Sequence, residues 1–178
     1  IKVYSLLDVD NVGLPSTIRP YNDTVVNNSV MAEDLVSEID HIPGVDTVVY
    51  NQVIFLPNQR KEMSKLAKKK NRHASIPNPN NLIAVEDINN VENEIARNGK
   101  ILVYAHYNLI IKTKADFEFQ KVTNTLENIF SKYSIHISKR AYNQLELFVA
   151  SFPGNCFRLS QDYDQFLTLS EAAMCLMY

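Results

Sequence analysis

The stretch Ile101–Lys112 (ILVYAHYNLIIK) limits the possible folds more than any other part of the chain. Every odd position from Ile101 to Ile111 is apolar, and this alternation is typical of a strand with one buried face. Other stretches rich in β-branched and aromatic residues are also predicted to be strands. They are Ile1–Val9, Asp46–Leu56 and the short stretch Ile135–Arg140.

Two consecutive helices are predicted between the second strand and Ile101–Lys112. Gln59–Arg72 has only a thin apolar stripe of Met63, Leu66 and Ala67, so most of it should face solvent. Asn80–Asn98 carries apolar residues at helical spacing (Leu82, Val85, Ile88, Val91 and Ile95) and should end at Gly99. Its exposed side is acidic, whereas Gln59–Arg72 is basic. We therefore expect a hairpin whose two helices carry opposite charges that partly face each other.

The other predicted helices flank this central part. Met31–His41 should be helical, and Thr113–Asp116 matches a capping box that would open a helix running to Tyr133. Pro153–Gly154–Asn155 forms a corner between two closing helices, because proline and glycine interrupt regular structure. These closing helices are Gln144–Ser151, whose short apolar run is also compatible with a strand, and Ser160–Met177.

This order of elements predicts an α+β fold. It corresponds to a ferredoxin-like β-α-β-β-α-β sheet, with the helical hairpin 59–99 inserted and two C-terminal helices appended. The 178 residues fit one domain, 1–178. The strand-like start and the uncapped apolar end lead us to expect a fragment of a longer chain. No apolar run approaches the roughly 18 residues of a membrane-spanning helix.

The sequence has no pattern expected of a catalytic, cofactor or metal site. Its glycines (Gly13, Gly44, Gly99 and Gly154) lack the GxxxxGK[ST] context of a phosphate-binding loop. The histidines (His41, His73, His106 and His136) lie far apart, and the two on predicted strands, His106 and His136, have no evident metal or acid–base partner. Cys156 and Cys175 fit no zinc or redox spacing, which favours two reduced thiols.

The basic run Arg60–Arg72 is the strongest candidate for an interaction site. It contains seven Lys and Arg residues against a single glutamate, Glu62. Such a run can contact phosphates or an acidic partner, although an overall charge of −2 and a solvated helix face offer a simpler explanation. An RNA-binding sheet is disfavoured, because Tyr104 and Tyr107 should point to opposite faces. The candidate partner-binding residues are Lys61, Lys65, Lys68, Lys69 and Arg72.

Three stretches together resemble the TraG-type conjugative-transposon ATPases of the type IV secretion family. LLDVDNVGLPS, which begins at Leu6, resembles a strand that leads into a Leu-Pro loop, and YNQVIF (Tyr50–Phe55) resembles the second strand of the family. LFVASFPGN, followed by Asp164–Cys175, is similar to the Leu-Pro-Gly-Asn corner and its following helix. The chain departs from that pattern at Phe152, where leucine is usual.

The resemblance implies a non-catalytic accessory region that precedes a P-loop ATPase domain. The parent would hydrolyse ATP with Mg²⁺ to power DNA transfer, as a hexamer at the cytoplasmic face of the bacterial inner membrane. Its catalytic residues would lie beyond Tyr178. This region would then dock onto channel proteins and neighbouring subunits, through the charged hairpin first and exposed sheet edges second. The alternative is a stand-alone ferredoxin-like module that binds nucleic acid.

Overall fold

The computed structural model describes residues 1–5, 38–39, 42–76, 78–114, 118–132, 135, 137 and 143–174. Within these residues the helices and strands alternate in a mixed order. In chain order they are β1 (Lys2–Ser5), β2 (Val45–Phe55), α1 (Gln59–Ser75), α2 (Pro79–Asn98), β3 (Leu102–Thr113), α3 (Phe119–Ser131), α4 (Gln144–Ala150), β4 (Phe166–Leu169) and α5 (Ser170–Met174), with a 3₁₀ turn at Cys156–Arg158. This combination of helices with a sheet confirms the α+β class.

The strand β3 is the centre of a four-stranded antiparallel sheet. β2 pairs along one edge of β3, from Thr113 to Tyr104. On the other edge, β1 pairs with Asn108–Ile111 and β4 pairs with Leu102–Ala105. β1 and β4 therefore lie end to end along the same edge of β3, and they run in the same direction.

Helix α3 covers one face of the sheet. The odd-numbered side chains of β3 from Val103 to Ile111 are buried, as the alternation predicts. They pack against three apolar side chains of α3, namely Val122, Leu126 and Phe130, each with no exposed surface. The buried stripe along α3 is what the three- and four-residue spacing of its apolar residues predicts.

The opposite face of the sheet is also largely covered. Leu147 and Ala150 of α4 pack with Leu159 against Val3 of β1. The side chain of Gln144 fixes α4 to the same strand, because its Oε1 accepts from the Val3 N–H at 2.7 Å and its Nε2 donates to the Val3 carbonyl at 2.7 Å. The expectation of one buried face on β3 is therefore too simple, since His106 and Asn108 on the second face are buried as well.

The predicted capping box at Thr113–Asp116 is wrong. Thr113 is the last residue of β3 and pairs with Val45, so the strand ladder uses it rather than a helix N-terminus. Helix α3 begins later, at Phe119, with Glu118 at the capping position and no side-chain cap hydrogen bond. Sheet pairing has overridden a local capping signal.

The predicted closing helix Ser160–Met177 is also wrong. Residues 161–164 form a turn, in which the Asp164 Oδ2 accepts from the Ser160 N–H at 2.9 Å. The next residues, Phe166–Leu169, pair with the part of the β3 edge that β1 leaves open, and only the short helix α5 follows. In contrast, Gln144–Ala150 is helical, so the strand alternative for this stretch is excluded.

Among the remaining predictions, two strands agree with the structure, whereas the short strand Ile135–Arg140 is not seen at its described residues. Val45–Phe55 and Leu102–Thr113 match two predicted strands within one residue at each end. Of the predicted strand Ile1–Val9, the described part contains Lys2–Ser5. Ile135 and Ile137 lie outside any strand, and the other residues of Ile135–Arg140 lie outside the described residues. Most of the predicted helix Met31–His41 also lies outside the described residues. Ile39, which is described, is buried.

Candidate docking surface on a helical hairpin

The hairpin of α1 and α2 forms where the sequence predicts it, and local signals set its ends. Asn58 caps α1, with its Oδ1 accepting from the Lys61 N–H at 3.2 Å. Asn78 caps α2 in the same way, accepting from the Asn81 N–H at 2.8 Å. Gly99 then ends α2 with a φ of +66°, a backbone conformation that favours glycine.

Contacts between the two helices keep the hairpin closed along its length. Ile88 is the buried residue of α2. The Lys70 Nζ lies 2.7 Å from the Glu92 Oε2, and the His73 Nδ1 lies 2.8 Å from the Asn81 Oδ1 nearer the turn. These contacts confirm the expectation that basic and acidic side chains of the hairpin partly face each other.

Two side chains of α1 anchor the base of the hairpin to β3. The Gln59 Nε2 donates to the Leu102 carbonyl at 2.8 Å, and its Oε1 accepts from the Leu102 N–H at 2.9 Å. One turn later, Glu62 is only 3% exposed and accepts from the Tyr104 hydroxyl at 2.9 Å and from the Lys65 Nζ at 2.8 Å. Sequence reasoning placed Glu62 in a solvated run and missed this anchoring role.

The contacts of Glu62 determine its charge. Burial raises the pKa of its carboxyl, but the hydrogen bonds from Lys65 and Tyr104 and the nearby positive charge outweigh burial, so the pKa lies below its usual value of 4.5. Glu62 is therefore ionised at neutral pH. Its partner Tyr104 has a raised pKa, because burial and the neighbouring carboxylate both disfavour the phenolate.

Glu62→Gln is expected to lower the free energy of unfolding by about 1–2 kcal/mol, because charge-assisted hydrogen bonds are lost. A carboxyl whose pKa is depressed in the folded state stabilises the protein above its unfolded pKa and loses this effect as the pH falls through the folded value. The difference between wild type and variant should therefore be constant near neutral pH and disappear in acid. Urea unfolding at several pH values measures it, and a difference that grows in acid would contradict this assignment.

A further ion-pair cluster joins the end of α2 to α5. The Lys100 Nζ lies 2.7 Å from the Glu94 Oε2 and also contacts the Glu171 carboxylate. Glu171 first and then Glu94 raise the pKa of Lys100 by hydrogen bonding. The base of the hairpin is thus connected both to the central strand and to the last described helix.

The predicted partner-binding residues lie together on one side of α1. We call this group, which consists of Lys61, Lys65, Lys68, Lys69 and Arg72, the basic stripe. Its members recur at spacings of three and four, and all are exposed. The buried Glu62 lies beside the stripe, since it bonds Lys65 one turn away, and the half-buried Leu66 lies further round the helix. Lys65 is engaged by Glu62, so the other four are better placed for an external partner.

Sequence reasoning missed the apolar tip of the hairpin. Leu82 was expected on the buried face of α2, but it is 59% exposed, beside Ile83 at 58% and Ile76 at 64%. The helical spacing of Leu82 is correct, yet it lies so close to the turn that nothing in the described chain covers it. The hairpin thus ends in exposed aliphatic side chains.

A second surface lies on the opposite side of the sheet from α3. A groove of about 480 Å³ runs between β2 and the corner after α4, with Val49, Ile110, Phe148, Phe152 and Pro153 among its lining residues. Val49 and Phe152 are exposed. The sequence indicated a corner at Pro153 but not the strand residues that would lie beside it.

A chain of hydrogen bonds lies beside this groove and includes Asn51 and Ser151, which line it. The His106 Nδ1 lies 2.6 Å from the Asp164 carbonyl oxygen, and the His106 Nε2 lies 2.9 Å from the Asn108 Nδ2. Asn108 also donates to the Ser151 Oγ at 3.1 Å and accepts from the Asn51 Nδ2 at 3.1 Å. Because Asn108 stands between His106 and Ser151, this is not the hydroxyl–imidazole contact of a nucleophile and its base. It fixes the Pro153 corner to the sheet.

The described residues contain no group of three or more His, Cys, Asp or Glu side chains placed to hold a metal ion. None of the helices in the described ranges has the length and apolar character needed to cross a membrane. His136 and Cys175 lie outside the described residues, and Cys156 is a half-buried free thiol. The hairpin itself presents exposed charged and apolar side chains.

Comparisons with known proteins leave the family open. No protein-family model matches the chain. No curated protein matches it either. The resemblance to the TraG-type ATPases stays a prediction from the three quoted stretches.

Proposed function

We propose that this chain is a non-catalytic docking domain of a conjugative-transfer ATPase of the TraG type. In this proposal it joins the motor to channel proteins at the cytoplasmic face of the bacterial inner membrane. ATP and Mg²⁺ are bound by a P-loop domain that follows Tyr178, in a hexameric parent protein. The stretches that resemble the family, above all LFVASFPGN (Leu147–Asn155), support the family part of the proposal.

The observation that carries the docking role is the hairpin itself. Its helices of 17 and 20 residues extend roughly 25–30 Å from their bases, at 1.5 Å per residue. The base is fixed by Gln59 and Glu62, whereas the basic stripe and the apolar tip are exposed. A helical hairpin whose base is held and whose side is charged suits recognition of another protein, because little conformational freedom is lost on binding.

The ferredoxin-like arrangement of the strands is part of the same proposal. The spatial order β1–β3–β2, with β3 antiparallel to both neighbours, agrees with the first three strands of a ferredoxin-like sheet. The hairpin is then an insertion between the second and third of these strands. Such an insertion can vary in length and charge without disturbing the sheet, which suits a partner-specific contact.

Reversing the charge of Lys61, Lys68 and Lys69 in the full-length protein is expected to reduce conjugative transfer by roughly a hundredfold or more, because like charges at an interface cost several kcal/mol. Lys65 is left intact because it stabilises Glu62. Transfer frequency from a donor that carries the variant measures the effect. The matched control reverses Lys112, Lys114 and Lys121, which are exposed and lie outside the hairpin. Transfer equal to wild type in both would contradict the proposal.

The reading frame beyond Tyr178 gives an independent test of the parent protein. We expect a strand, a GxxxxGK[ST] loop and a helix in that order. A frame that continues without this pattern would remove the ATPase part of the proposal, and the docking role of the hairpin would then need another parent.

The basic stripe also supports the alternative, a module that binds nucleic acid. Four or five aligned cations on a projecting helix can follow a phosphate backbone. In that case DNA binding by the purified chain would fall steeply with salt, and reversal of Lys68 and Lys69 would reduce the slope. Weak binding that the reversal leaves unchanged would favour the protein-docking role.

A further inference from the structure

The two outer sides of the hairpin carry opposite charges. The basic stripe is exposed along α1, whereas Lys70, which pairs with Glu92 of α2, lies on the other side of that helix. On α2, Glu86 and Asp87 are exposed, whereas the neighbouring Ile88 is buried. We call Glu86 and Asp87 the acidic side; nearer the base, Glu94 is already paired with Lys100, and Arg97 is the one basic residue of α2. Each hairpin therefore has a basic side and an acidic side that cannot meet within one copy.

The basic stripe and the acidic side have charged residues at similar distances from the turn of the hairpin. Lys68 and Lys69 precede Pro77 by eight or nine residues, and Glu86 and Asp87 follow it by nine or ten. At 1.5 Å per residue, both pairs lie about 12–15 Å from the turn. If two hairpins stood side by side with their tips level, Lys68 and Lys69 of one would therefore lie opposite Glu86 and Asp87 of the other.

The same arrangement covers the apolar tip. Leu82 and Ile83 lie at the start of α2, and Ile76 follows the end of α1. With the tips level, the Leu82 and Ile83 side chains of one copy would lie at the height of Ile76 in the next copy. Burial of these side chains on association is favourable in proportion to the apolar area removed from water.

We propose that the hairpins of neighbouring copies of this chain pack side by side, the basic stripe of one against the acidic side of the next. The contact is heterologous, so its repetition gives a ring where the rotation closes and an open filament where it does not. A two-fold contact of basic stripe on basic stripe would place like charges together and is disfavoured. The inference rests on the proposed docking role of the hairpin, but not on the identity of the motor.

Sedimentation equilibrium of the purified chain at low and high salt tests the contact. We expect concentration-dependent association that weakens with salt, because the charges are exposed. Lys68→Glu with Lys69→Glu, or Glu86→Lys with Asp87→Lys, should each weaken association by about 10- to 100-fold. Circular dichroism and thermal unfolding establish that each variant folds. A wild-type chain that stays monomeric at millimolar concentration would overturn the proposal.

The decisive result is the mixture of the two reversed variants. At the reversed positions one variant then carries carboxylates on both outer sides and the other carries ammonium groups on both, so association should return in an alternating 1:1 assembly. The control variant Lys114→Glu with Lys121→Glu changes the net charge equally and should associate like wild type. Variants that associate alone as well as wild type, or a mixture that stays dissociated, would overturn the contact. If the variants reduce conjugative transfer but self-associate like wild type, the hairpin still acts in docking, and its partner is another protein.

Discussion

Phe130→Ala is expected to lower the free energy of unfolding by about 3–5 kcal/mol, which is a large share of the roughly 5–15 kcal/mol that stabilises a typical domain. Phe130 has no exposed surface. It belongs to the core cluster of α3 and the odd-numbered residues of β3, together with Leu126 and Tyr107. Alanine would leave a cavity that these neighbours cannot close, because they belong to regular elements with fixed spacing.

Urea unfolding followed by circular dichroism measures this loss. Phe157→Ala is the matched control, because the Phe157 ring is 71% exposed and its nearest charged contact is the Arg158 guanidinium, 5.7 Å from the ring centre. We expect Phe157→Ala to lower the free energy of unfolding by less than about 1 kcal/mol. Equal losses at the two positions would mean that α3 does not cover the sheet as described.

Asn108→Ala is expected to lower the free energy of unfolding by about 2–4 kcal/mol, because one truncation leaves several buried polar groups without their partner. Asn108 is 1% exposed and bonds to His106, Ser151 and Asn51. The substitution should also loosen the corner at Phe152 and Pro153, in addition to lowering overall stability. Since Ser151 immediately precedes Phe152 and Pro153, the corner should open more often when its link to β3 is lost.

Amide hydrogen exchange at residues 151–159 reports this opening, and the unfolding free energy reports the overall cost. Asn124→Ala is the control, because the exposed Asn124 on α3 accepts a single hydrogen bond, from Gln120 at 3.0 Å. Faster exchange at the corner in Asn108→Ala, with unchanged exchange in Asn124→Ala, is the expected pattern. Unchanged exchange in both variants would mean that the corner is fixed by packing alone.

Elements were predicted correctly from sequence where the end signals and the spacing of apolar residues indicate the same structure. α1 and α2 have caps, a glycine stop and helical spacing that point to the same limits, and β3 has unbroken alternation. β4 could not be predicted, because the four residues Phe166–Leu169 become a strand only where β1 leaves part of the β3 edge open. The capping signal at Thr113 failed for the same reason, since a strand partner outside the local window uses that residue.

The candidate docking surface was predicted in part. The basic stripe is visible in the sequence, because lysines at spacings of three and four on a helix with few apolar residues must share an exposed side. The anchoring of the hairpin is not visible. A glutamate within a basic run looks like an ordinary surface residue, and its burial depends on Tyr104, which lies 42 residues away in the sequence. A similar long-range contact places Gln59 on Leu102.

The double hydrogen bond between Gln144 and the main chain of Val3 has a consequence for biosynthesis. These partners are separated by 141 residues, and the β3 residues that pair with β1 lie more than 100 residues from it. On the ribosome, β1 emerges before β3 and finds its sheet partner only after β3 has been made. The hydrogen bonds from Gln144 form only after α4 appears. β1 therefore precedes the other described elements along the chain but is among the last to be fixed, and it stays unpaired while the intervening chain is made.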